Sequence, residues 1–139
     1  MSADTASPAT PAEPQRRGVV LFSHGSRDPL WRQPIEAVQA RLHADQPGLQ
    51  VCCAYLELTK PDLGTAVGKL VLQGVRQITI VPMFLGTGRH AREDLPVLVE
   101  ELRQAHGGRV LFHVQQAVGE DPRMTALMAQ IAAEPAAKP

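Results

Sequence analysis

Four apolar runs recur along this chain, at residues 18–23, 49–56, 77–84 and 109–114. Their starts lie about 30 residues apart, the size of one strand-plus-helix unit. The runs are rich in β-branched residues and show little alternation, the pattern of strands buried on both faces. Helical periodicity fills the gaps. Ile35, Val38 and Leu42 share one face of a segment over 34–44, and Leu63, Val67, Leu70 and Val71 follow Pro61. Leu95, Leu98, Val99 and Leu102 mark a helix over 92–106 that Gly107-Gly108 ends, with Asp94-Leu95-Pro96 shaping its start. Asp121 and Pro122 cap a last helix running to about residue 133. The order βαβαβαβα predicts an α/β three-layer sandwich, its four strands parallel and joined by right-handed crossovers. The preferred strand order is the flavodoxin-like 2-1-3-4.

In such a sheet, ligands bind beyond the carboxyl ends of the strands. His24 stands there after Val19-Val20-Leu21-Phe22-Ser23, and His90 follows the run ending in Phe84-Leu85 and a short glycine loop. Glu57 ends the second run, 33 residues beyond His24 and 33 before His90. One βα unit per interval returns the chain to the same edge, and neighbouring strands lie about 4.8 Å apart. Two imidazoles and a carboxylate suit Fe²⁺, Co²⁺ or Ni²⁺, with His24 and His90 as ligands, and the same groups can take protons from a substrate. The competing structural reading has these residues merely satisfying backbone groups at strand ends. Ser26, Arg27, Gly86, Thr87, Gly88, Arg89 and Arg92 surround the edge as candidate substrate contacts. The glycines permit close backbone approach, and the arginines pair with carboxylates unless they are simply solvated. Asp28, Glu93 and Asp94 partly offset that positive field. His43 and His106 fall in last helical turns and His113 inside the fourth strand, where structural roles suffice.

The 139 residues make one domain, and 14 basic residues balance 14 acidic ones. That balance gives no footprint for nucleic acid, and no apolar stretch is long enough to span a membrane. Residues 1–17 lack the apolar core of a signal peptide and are expected to form a disordered extension, and 135–139 a frayed tail. Cys52-Cys53 are adjacent in an expected strand, point to opposite faces and match no zinc spacing. Reduced thiols and a cytoplasmic location follow.

Three stretches together resemble the small sirohydrochlorin chelatases of the CbiX type. They are His24-Gly25-Ser26-Arg27, Leu56-Glu57 with Pro61, and the segment from Pro82-Met83-Phe84-Leu85 through Gly86-Thr87-Gly88-Arg89-His90 to Asp94-Leu95-Pro96. The likeness spans about 18–134, as one domain. It implies a chelatase-like fold and ATP-independent insertion of a divalent metal into sirohydrochlorin, Co²⁺ for cobalamin or Fe²⁺ for siroheme. No cofactor is implied, the metal being a substrate. His24 and His90 match the family's active-site histidines, and Glu57 its acidic partner. The chain has the length of the one-lobed forms, which the resemblance implies are homodimers, whereas longer relatives carry two lobes. It lacks the His-rich segment of some relatives. Two other readings use the same edge: a non-catalytic metal or tetrapyrrole carrier, and a histidine phosphohydrolase. The latter family shows Arg before its histidine, where this chain has Ser23.

Overall fold

The computed structural model describes residues 16–137. Strands and helices alternate as β1 (Arg16–Ser23), α1 (Gln33–Asp45), β2 (Gln50–Tyr55), α2 (Leu63–Leu72), β3 (Val75–Pro82), α3 (Arg89–His106), β4 (Leu111–Val114) and α4 (Pro122–Ala132). Short 3-10 turns at Pro29–Arg32 and Val118–Glu120 precede α1 and α4. Every pairing is parallel and the order is β2-β1-β3-β4, the 2-1-3-4 arrangement expected. Of the expected N-terminal extension, 1–15 lie outside the described residues, while Arg16 and Arg17 open β1. Of the expected tail, 138 and 139 also lie outside them.

The larger core lies between the sheet and α2 and α3. Val20, Phe22, Val67, Val75 and Ile80 have no exposed surface there, and each such side chain contributes about 1.5–3 kcal/mol by leaving water. The opposite face holds a smaller cluster of Val19, Leu21, Leu49, Val51, Cys53 and Tyr55, with Ile35 and Leu42 of α1 against it. Burial on both faces therefore holds for β1. It fails for β3 and β4, and this corrects the expectation drawn from their apolar runs. Ile78 and Ile80 are buried, and their partners Phe112 and Val114 pack on the same core. Thr79 and Val81 on the other face are half-exposed, and Leu111 and His113 are exposed. The physical reason is that α4 does not return over this half of the sheet. It buries no residue, and its main contact is with the Val118–Glu120 turn.

The border strand β2 is partly covered by a side chain. Gln39 Nε2 donates to the Val51 carbonyl at 3.1 Å, and Cys53 Sγ donates to Gln39 Oε1 at 3.4 Å. Both cysteines are free thiols. Burial, and then the neighbouring Cys53, push the Cys52 thiol up to about 11. Among the described residues no helix is long and apolar enough to cross a membrane.

Candidate active site at the carboxyl edge of the sheet

Parallel pairing continues past the ends of the strands and sets the height of the site. The Leu56 N–H donates to the Ser23 carbonyl at 2.8 Å and the Glu57 N–H to the His24 carbonyl at 3.0 Å. His24 is thus level with Leu56, and Glu57 stands one residue further along the neighbouring chain. Gly25, at φ +102, follows so closely that a Cβ there would collide with the Glu57 carbonyl oxygen. Glycine is required at this position for both reasons. Thr59 closes the arrangement: its Oγ1 donates to the Ser26 carbonyl at 2.6 Å and accepts from the Ser26 N–H at 2.9 Å. Between Glu57 and Thr59, Leu58 sits at φ +65. A non-glycine residue there carries backbone strain of the order of 1–2 kcal/mol.

The His24 ring stacks on Phe84, with centroids 4.4 Å apart and planes inclined by 27°. Phe84 is itself buried edge-on against Phe22. The imidazole is held by its face and is exposed to solvent. Immediately before it, the buried Ser23 hydroxyl has no hydrogen-bond partner among the described residues.

The third element departs from the sequence expectation. Helix α3 starts at Arg89, three residues early, so His90 lies in its first turn and Pro96 inside the helix. Gly88 is the N-cap, and the Arg92 N–H bonds its carbonyl at 3.0 Å. Pro96 has no N–H to offer the Arg92 carbonyl, a gap the helix tolerates internally. Arg92 Nη1 instead reaches back to the Thr87 carbonyl at 2.9 Å, bracing the glycine loop. Arg89 pairs with Glu93 at 3.5 Å on the surface, so it is partly neutralised. From the far side the Gly119 N–H donates to the Phe84 carbonyl at 2.8 Å, and a Cβ on Gly119 would strike the Leu85 backbone.

His24 and Glu57 are therefore joined through their backbones, with His90 opening the helix that follows the β3 loop. Among the described residues, no three His, Cys, Asp or Glu side chains gather closely enough to hold a metal ion. The His24 ring is turned onto Phe84, and His90 and Glu57 are exposed. Ser26 and Arg27 share one cleft, whereas Thr87 and Arg92 line another between α3 and the end of β4. Sequence reasoning passed over Thr59 and Gly119. Thr59 carried a signal, lying between Glu57 and Pro61, whereas Gly119 carried none beyond being a glycine.

The CbiX family model matches residues 18–134. A sirohydrochlorin cobaltochelatase of Methanothermobacter thermautotrophicus is 33% identical over 81 residues, which is 57% of this chain and 54% of that protein. The chain spans little more than half the length of the curated relatives it matches. Among solved structures, a cobalamin (vitamin B12) biosynthesis CbiX protein from Marinobacter aquaeolei VT8 superposes with a TM-score of 0.72 at 33% identity. That match covers 84% of this chain and 93% of the other. The sirohydrochlorin chelatase SirB from Bacillus subtilis subspecies spizizenii, solved with cobalt, shares the fold at TM-score 0.71 and 23% identity. Here 85% of this chain covers 50% of that one. With the match running through all four strands and the edge that carries His24, Glu57 and His90, this chain belongs to the CbiX family.

Proposed function

We propose that this protein is a sirohydrochlorin chelatase that inserts Co²⁺ or Fe²⁺ into the macrocycle without ATP. The observation that carries this reading is the carboxyl edge itself. His24 and Glu57 end adjacent strands, joined by a 3.0 Å backbone hydrogen bond, and His90 opens the helix beyond the next strand. Insertion removes two pyrrole N–H protons as the metal–nitrogen bonds form, so the site needs bases as much as ligands. Neutral imidazoles at His24 and His90 either bind the arriving ion or accept a proton, and the Glu57 carboxylate supports both tasks. Arg27 and Arg92 supply charge for the pigment's carboxylates.

We also infer that the working unit is a pair of chains. The support is an unmatched helix and an unmatched strand face in one molecule. Met124, Leu127, Met128 and Ile131 form an i, i+3, i+4, i+7 stripe on α4, which buries nothing. Leu111 is exposed on the side of the sheet that α4 leaves open, and the half-exposed Val81 borders the smaller cluster on that same side. A two-fold pair provides cover for both, twice over.

The test follows the pigment's absorbance with purified protein and Co²⁺, or with Fe²⁺ under anaerobic conditions. Multiple turnovers are expected, and His24→Ala and His90→Ala should each slow insertion by about 10²-fold, the scale of a lost acid–base group. Stoichiometric binding that then stops, or full activity in both variants, would refute the assignment.

A further inference from the structure

Among the described residues, three cations with no side-chain hydrogen bond or ion pair converge beside the site, Lys60 having the Asp62 carboxylate within electrostatic reach. Among the described residues, most arginines are engaged: Arg32, Arg41, Arg89, Arg103 and Arg123 in ion pairs, and Arg16, Arg76, Arg92 and Arg109 with backbone carbonyls. Arg17, Arg27, Lys60 and Lys69 have neither. Three of these four, Arg27, Lys60 and Lys69, line one cleft of about 730 Å³ along the outer border of β2. Glu36 is the cleft's carboxylate and is already paired with Arg32 at 3.2 Å. A chain of zero net charge thus gathers an excess of positive charge in one concavity, offset only in part by Asp62 near Lys60, which concentrates anions.

Two observations narrow the anion. The cleft also has apolar lining, including Leu58, Pro61 and Ala66, which a small hydrated anion would not use. It is also continuous with the site. Ser26 and Arg27 of the His24 loop line it, and residues 58–61 are shared with a second cleft, of about 660 Å³, that contains Glu57. Lys60 stands where the two meet, held on a loop that the Thr59–Ser26 hydrogen bonds tie to the His24 segment. We propose that this cleft receives carboxylate-bearing side arms of the tetrapyrrole, with Lys60 and Lys69 as their charge partners. The inference rests on the chelatase reading and adds where the macrocycle's acidic rim extends.

The experiment uses the full chain and an octacarboxylate tetrapyrrole, in two readouts. Trp31, the chain's one tryptophan, lies 6.2 Å from the ring of Tyr55 in the cleft wall, so its fluorescence reports pigment binding without metal. Steady-state insertion separates KM from kcat. The double variant Lys60→Gln/Lys69→Gln is expected to weaken pigment binding and raise KM about tenfold, as two solvent-facing charge contacts allow, with kcat within about twofold. Arginine at both positions should restore affinity, and Arg17→Gln, which removes an equally unpaired charge elsewhere, should leave it unchanged. Unaltered pigment affinity in the double variant overturns the cleft assignment, as does loss of inorganic phosphate binding alone. A wild-type chain that binds pigment but never turns over refutes the chelatase reading, while the fluorescence series still decides the cleft. A chain that does not bind pigment at all refutes both.

Discussion

Helices α2 and α4 look alike in sequence and have different fates. They have 10 and 11 residues, and each starts behind an aspartate whose Oδ1 accepts a backbone N–H at 2.8 Å, from Thr65 in one and Arg123 in the other. Each carries an apolar stripe. Yet α2 buries Leu63, Ala66, Val67 and Leu70, and α4 buries nothing. Periodicity and caps decide that a segment is helical. What it packs against depends on where the chain emerges, and after the four-residue β4 it turns away at Val118–Glu120.

The largest expected effect tests that contrast directly. Leu70→Ala should cost about 3 kcal/mol by opening a cavity under α2, measured by urea denaturation. A loss below about 1 kcal/mol would mean that α2 is held no better than α4. The next effect lies under the same helix and depends on pH. The Cys52 thiol is raised from an ordinary 9.0 to about 11, so above pH 9 the unfolded chain ionises it while the folded chain keeps it protonated. Its contribution is therefore full below pH 9 and is lost as pH rises through 11, on the order of 2 kcal/mol. Cys52→Ala should flatten that part of the stability–pH curve, and an unchanged slope would show that the thiol is not shielded. The smallest effect on the single chain belongs to α4. Leu127→Asn should change unfolding free energy by under about 0.5 kcal/mol in dilute solution, while the pair proposed above should give way to single chains in sedimentation. A pair that persists in this variant would leave α4 outside the contact.

How far the sequence carried can be read at individual residues. Val20, Ile80 and Leu102 announced their burial through strand and helix periods, and the parallel order followed from spacing. His24 and Glu57 lie within one residue of the same level because one βα unit separates their strands. The start of α3 at Arg89 is hidden in the sequence because Gly86-Thr87-Gly88 reads as loop and the cap, Gly88, has no side chain to mark it. The convergence of Arg27, Lys60 and Lys69 was invisible, since they come from three separate segments and meet only across the sheet's border. Local patterns encode local structure; contacts between loops need the assembled fold.

Gln39 has a bearing on how these molecules behave at high concentration. By placing an amide over the Val51 carbonyl and taking the Cys53 thiol as a donor, it occupies part of the one ladder of backbone groups that β2 would present to another chain. An uncovered strand at that border would invite sheets from different molecules to fuse and grow without limit. A neutral side chain does this work here, without setting another charge into the cleft beside Lys60 and Lys69. Growth by strand addition is discouraged on that side, and association is left to surfaces that close on themselves.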